Sequence, residues 1–136
     1  MSDDFKVSLN GTALIIETGK SLNTTNSPEL IEELSKYVGQ TIQKVVFDAS
    51  ELVTISSSGL RAIYFAKLRL GNSPEIVFVN CAKEIYNTLN IIGLASSIKF
   101  LKVDSKKIVR KQEYLDEFAA NNDVVCYQMK MGQYEE

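Results

Sequence analysis

Hydrophobic positions along this chain change period several times, and each change marks an element. Phe5, Val7 and Leu9 alternate with polar residues, as a half-exposed strand does, and Asn10-Gly11 follows as a tight hairpin turn. Ala13 to Ile16 supplies the returning strand. After Gly19 a polar stretch leads to Ser27, which is expected to cap a helix with Pro28 at its first position. Leu30, Ile31, Leu34, Tyr37 and Val38 then recur at helical spacing, with Glu29, Glu32 and Glu33 early and Gly39 past the end. Ile42 to Phe47 is a largely apolar run, which suits a central strand buried on both faces.

The stretch from Phe47 to Gly71 organises the rest. It reads as strand, polar turn and helix, and its pivot is Ser56, Ser57, Ser58 and Gly59. Serine is favoured at a helix start because its oxygen can accept a bond from a backbone N–H that the first turn leaves unpaired. The 100° step per residue puts Leu60, Ile63, Tyr64 and Leu68 on one arc, expected to face inward, with Lys67 inside that arc. Ser58, Arg61, Ala62, Phe65 and Arg69 fall almost opposite. Ile76 to Val79 reads as the next strand, and Lys83 to Ile92 as a helix with Ile85, Leu89 and Ile92 inward and Gly93 as its stop. Ile98 to Leu101 is a short last strand.

Alternating strands and helices imply an α/β layer structure, with the opening hairpin adding an antiparallel strand to a largely parallel sheet. The division expected is a domain over 1–103 and a C-terminal extension over 104–136. In the extension, Ser105 to Ala120 is charged but carries Tyr114, Leu115 and Phe118, the pattern of a short helix docking by one edge. Val124 to Tyr127 reads as a short strand after the turn Asn121-Asn122-Asp123. The extension could cap the core, cover a surface or mediate self-association.

Composition narrows the function more than the fold. A length of 136 residues is enough for one domain with a real core, unsupported by metal or disulfides. A net charge of −2 without a basic cluster argues against nucleic acid as the partner. The start MSDDFK is acidic and not a signal segment, and no apolar run approaches the ~20 residues of a membrane span, so a cytoplasmic protein without membrane insertion is expected. Cys81 and Cys126 read as buried free thiols.

Catalytic chemistry finds little to work with. The chain has no histidine, so a Ser-His-acid triad is impossible within it. Ile55 stands where a nucleophile elbow needs its first glycine, and the SSSG run lacks the glycines and lysine of a phosphate loop. No metal or cofactor is expected, and the chain reads as a non-enzyme. What remains is a hydroxyl displayed at a helix start, where backbone N–H groups and the positive end of the dipole favour added negative charge. As bare sequence, Asn23, Thr24 and Thr25 form only a polar connection, and Asp48 and Ser50 read as loop-organising hydrogen bonders.

At Asp48, Ser50, Val53, Ile55, Ser57, Ser58, Gly59 and Leu60 the sequence resembles the STAS domain of bacterial anti-sigma factor antagonists. GKSLNTTNSPEL upstream and FVNCAKEIYNTLNIIGL downstream resemble two further segments of that family, in the same order. The resemblance covers about residues 5 to 101. It implies a mixed sheet of four or five strands with helices mainly on one side. It also implies regulated binding, in which an antagonist docks on an anti-sigma factor that is a serine kinase, is phosphorylated by it, is released, and is reset by a cognate phosphatase. The residue matching the phosphorylated serine is Ser57. Docking would fall on Asn23, Thr24, Thr25, Ser56, Ser58, Arg61 and Phe65. One position departs from the family pattern, because Ser56 stands where an Asp is typical. The alternative is a constitutive STAS scaffold, such as an accessory subunit of a lipid-transport complex, and a homodimer is left open.

Overall fold

The computed structural model describes residues 5–71, 74–103 and 126–128. The hairpin of β1 (Phe5–Asn10) and β2 (Ala13–Thr18) is antiparallel, and Gly11 takes the positive φ of 63° that its tight turn requires. From β2 the sheet continues in parallel through β4 (Lys44–Asp48), β6 (Glu75–Val79) and β7 (Ile98–Val103). The order is β1-β2-β4-β6-β7, with β8 (Cys126–Gln128) antiparallel on the β7 edge. The expected α/β architecture is therefore present, as five strands of the domain plus this sixth. The fold of the remaining extension, including the expected helix over Ser105 to Ala120, lies outside the described residues.

Three helices cross between the parallel strands: α1 (Ser27–Ser35), α2 (Ser57–Arg69) and α3 (Lys83–Ile91). Side chains alternate between the faces of a sheet, and one face carries Leu14, Ile16, Val45, Phe47, Ile76, Phe78, Ile98 and Phe100. All eight join one buried cluster with Leu30 and Leu34 of α1, Ala62, Ile63 and Ala66 of α2, and Ile85, Tyr86 and Leu89 of α3. Rings reinforce it. Phe47 stacks on Phe78 at 4.9 Å, and Tyr86 meets Phe100 edge-on at 5.0 Å, pairs worth about 0.5–1.5 kcal/mol each beyond their buried area.

Two inward faces differ from the periodicity reading. In α2 the buried line is Gly59, Ala62, Ile63 and Ala66, whereas Tyr64 and Leu68 are 39% and 70% exposed. Small residues let α2 approach its neighbours closely, and that close approach outweighs the hydrophobicity of the larger side chains. Ala62, assigned outward by the arc, faces the core. In α3, Tyr86 is buried and Ile92 is 42% exposed, because the helix ends at Ile91 and the chain turns at Gly93.

Candidate functional site

Parallel strands of an α/β sheet collect their loops at their C-terminal ends, where such folds usually bind partners. Here a second, two-stranded sheet refines that arrangement. β3 (Ser21–Leu22) and β5 (Thr54–Ile55) pair in parallel, so the chain leaving β3 toward α1 and the chain leaving β5 toward α2 emerge side by side. The Ser56 N–H donates to the Leu22 carbonyl at 2.8 Å, tying the two exits together. The periodicity of the sequence missed both strands, since two residues are too few to show a period.

Gly59 sets how closely α2 docks on this junction. A Cβ built there would lie 2.8 Å from the Leu22 carbonyl oxygen and 2.7 Å from Ile55 Cγ1, closer than such atoms approach. Only glycine fits. Ser56 is extended, with φ −95° and ψ 175°, and its Oγ accepts from the Gly59 N–H at 3.3 Å. It is the N-cap of α2, and a hydroxyl does there what a carboxylate at the same position would also do.

The three serines now separate. Ser56 is spent on the cap and half-buried, Ser58 is half-buried, and Ser57 is exposed in the first turn. Among the described residues no group bonds the Ser57 hydroxyl. The first turn of α2 contains no acidic residue, so added negative charge there would meet the dipole's positive end without a carboxylate of that turn opposing it.

The neighbouring loop is built differently. The Asn23 side-chain oxygen accepts from the Thr25 N–H at 2.9 Å and the Asn26 N–H at 3.0 Å, while Asn26 Oδ1 accepts from the Asn23 N–H at 2.8 Å. This is the reciprocal pattern of a capping box, made from two asparagines. Asn26 also donates to the Ser21 carbonyl at 2.8 Å, and Asn23 to the Ser21 hydroxyl at 2.8 Å. Ser27 is therefore not the cap that the sequence suggested. It is fully buried, its hydroxyl has no hydrogen-bond partner among the described residues, and the asparagines cap the turn before it. Thr24 and Thr25 form the exposed tip of this loop.

Asp48 and Ser50 organise the adjoining turn. Asp48, 1% exposed, accepts from the Ser50 N–H at 3.2 Å and from its hydroxyl, and Asn80 donates to that hydroxyl at 3.3 Å. Asn80 adopts a positive φ of 55°, a conformation asparagine tolerates better than most residues. Val53, on the same rim, is 62% exposed.

On α2, Arg61 is exposed, but Phe65 is half-buried against the core with the Arg69 guanidinium 5.6 Å over its ring. Besides Ser57 and Arg69, the exposed side chains along this helix are Arg61, Tyr64 and Leu68, spaced i, i+3, i+7. The arc drawn from hydrophobicity placed the last two in the core, so it could not find them.

Burial pushes the Cys81 thiol up to about 12, which keeps it protonated and unreactive at neutral pH. The Cys126 side chain lies outside the described residues. Among the described residues no group of His, Cys, Asp or Glu could hold a metal ion, and no helix is long and apolar enough to cross a membrane. A polar hollow lined by Asn10, Thr12, Gln43, Lys44 and Glu75 lies at the opposite end of the strands from Ser57.

Comparison with known proteins agrees with this geometry. The STAS domain family matches residues 5–107. No curated protein matches the sequence significantly. Among solved structures, an anti-sigma factor antagonist from Mycobacterium paratuberculosis is similar with a TM-score of 0.60 at 14% identity, over 85% of this chain and 96% of that one. The anti-sigma factor antagonist SpoIIAA in its unphosphorylated form gives 0.59 at 12% identity, over 85% and 96%. The Bacillus cell fate determinant SpoIIAA in its phosphorylated form gives 0.55 at 12% identity, over 83% and 97%. At these identities the likeness is one of fold.

Proposed function

We propose that this chain, which belongs to the STAS domain family, works as an anti-sigma factor antagonist whose docking end is switched off by phosphorylation of Ser57. The observation that carries the reading is the exposed, unbonded Ser57 hydroxyl on the first turn of α2, held in place by the Ser56 cap and the Gly59 contact. A kinase can reach that oxygen without unfolding anything. The reading assigns the docking surface to Asn23, Thr24, Thr25, Ser56, Ser58, Arg61 and Phe65. Thr24 and Thr25 supply the exposed tip of that surface, Asn23 the frame beneath it, and Phe65 a ring sheltered under Arg69.

Phosphorylation adds about −1.5 to −2 charges at neutral pH. Within the chain the helix start accommodates them, and Arg61, four residues on, lies on the same helix face within reach of a phosphate at Ser57. Against a partner packed on this end, the same charge must be desolvated. The fold stays intact while the complex is lost. The partner in this reading is an anti-sigma factor with serine-kinase activity, and a phosphatase restores the hydroxyl.

Calorimetric titration with the kinase-type anti-sigma factor encoded in the same genome tests the reading. Wild type should bind and Ser57→Asp should bind at least about tenfold more weakly, a difference of ~1.4 kcal/mol. Equal binding by both would remove the switch, and the constitutive scaffold would take its place.

A further inference from the structure

Helix α2 presents one straight stripe to solvent. The exposed residues Ser57, Arg61, Tyr64 and Leu68 stand at i, i+4, i+7 and i+11. At 100° per residue these four fall within about 60° of one another and run about 16 Å along the helix. Steps of four, three and four residues are the spacing of a seam against which a second helix packs. The two ends of the stripe differ. Ser57 and Arg61 make a polar end at the helix start, and Tyr64 with the largely exposed Leu68 makes an apolar end. The opposite side of α2, with Gly59, Ala62, Ile63 and Ala66, is committed to the core.

Charge narrows what fits there. α2 carries Arg61, Lys67 and Arg69 and no carboxylate, in a chain whose net charge is −2. Among the described residues none of these three cations takes part in an ion pair. The Arg69 guanidinium lies over the Phe65 ring, a contact that leaves its charge uncompensated. Uncompensated cations beside an apolar pair attract a partner of opposite sign and fix its register.

We propose that this stripe seats one amphipathic helix of the partner protein, apolar toward Tyr64 and Leu68 and carrying Asp or Glu toward Arg61, Lys67 and Arg69. Which protein supplies that helix rests on the function proposed above; its helical and acidic character rests on the stripe. Ser57 is the first position of the seam. A phosphate there would set negative charge where the acidic helix must lie, and by pairing with Arg61 would remove a cation that attracts it. Other occupants fit less well. A second copy would set α2 against α2 with like charges together, and the acidic helix α1 has buried Leu30 and Leu34 in its own core. A lipid surface calls for a broad apolar face, and here that face is two side chains wide.

Calorimetric titration of the full 136-residue chain with the kinase-type anti-sigma factor of the same genome tests the proposal. Tyr64→Ala/Leu68→Ala and Lys67→Glu/Arg69→Glu should each bind at least about tenfold more weakly than wild type. Ile91→Ala, which truncates an 83% exposed side chain on α3, should bind as wild type does. In wild type the amide shifts of Arg61, Tyr64 and Leu68 should move on binding, a readout that needs no variant to fold. Unmoved amides, or wild-type affinity in Tyr64→Ala/Leu68→Ala, would overturn the helical seat, while Ser57→Asp weakened in the same series would leave the switch standing. The converse, with both double variants weakened and Ser57→Asp unaffected, would remove the switch and keep the seat. Wild-type affinity in Lys67→Glu/Arg69→Glu would overturn the acidic character of the partner helix. A wild-type chain that does not bind the anti-sigma factor would overturn both readings. So would two findings about other occupants: a dimer in sedimentation that Leu68→Asp dissolves, or retention on anionic vesicles that Lys67→Glu/Arg69→Glu abolishes, would hand the stripe to a second copy or to a membrane.

Discussion

Two helices start next to each other in this molecule, and they treat their first turns in opposite ways. Before α1, Asn23 and Asn26 exchange hydrogen bonds and reach back to Ser21, and Ser27 is buried completely. That start is closed by the turn ahead of it, whose side chains bond one another while the Asn23 and Asn26 carbonyls accept from the Ser27 and Leu30 N–H groups. At α2 a single bond from the Gly59 N–H to Ser56 caps the turn, and the next hydroxyl, Ser57, stands in solvent with no partner among the described residues. That start is left open. Both lie at the same end of the sheet because β3 and β5 pair. Proximity to a helix dipole therefore does not distinguish a candidate switch from a structural serine. Accessibility and spare hydrogen-bonding capacity do.

Substitutions at matched positions should expose this asymmetry. The largest effect is expected for Ser27→Asp, which buries a carboxylate with no partner and should cost on the order of 3–5 kcal/mol in denaturant unfolding. A cost under about 1 kcal/mol would show that the first turn of α1 is not closed. Asn26→Ala comes next, at roughly 2–4 kcal/mol, because the Asn23 N–H and the Ser21 carbonyl each lose a partner. Its unfolding midpoint should fall without a change in m-value.

Gly59→Ala is expected to cost about 1–3 kcal/mol, as the added methyl meets the backbone carbonyl of Leu22 as well as the Ile55 side chain. Thermal unfolding measures it, and amide shifts should move in β3 and β5 together. Removing the α2 cap with Ser56→Ala should cost only ~1 kcal/mol, the usual value for an N-cap. The smallest stability change belongs to Ser57→Asp, expected to be neutral or stabilising by about 0.3–1 kcal/mol at low salt and to shrink as salt is added. A large loss of stability there would mean that Ser57 is a structural residue after all.

The contrast was only half legible in the sequence. The order of elements, the hairpin at Asn10-Gly11 and the start of α2 at the triple serine follow from period and turn chemistry, which are local. The alternation of Phe5, Val7 and Leu9 was enough to place β1. What the sequence hid depends on contacts across the chain. Ser27 followed by Pro28 looks like a cap and first turn, and nothing local reveals that Asn23 and Asn26 cap the segment four residues earlier. The pairing of Leu22 with Ile55, which makes the site, involves strands too short to have a period. On α2, hydrophobicity pointed Tyr64 and Leu68 inward, whereas the demand for close packing chose Gly59, Ala62 and Ala66. Small residues carry little hydrophobic signal, and they won because of their shape.

The central claim is that Ser57 alone of the neighbouring serines is offered to a kinase. Intact-mass measurement and site mapping after incubation with ATP and the cognate anti-sigma kinase, on wild type and on Ser27→Ala, Ser56→Ala, Ser57→Ala and Ser58→Ala, test it most directly. One phosphate should appear on wild type and on the Ser27, Ser56 and Ser58 variants, mapped to Ser57, and none on Ser57→Ala. A phosphate that persists on Ser57→Ala, or none on wild type with a kinase shown to be active, would contradict it.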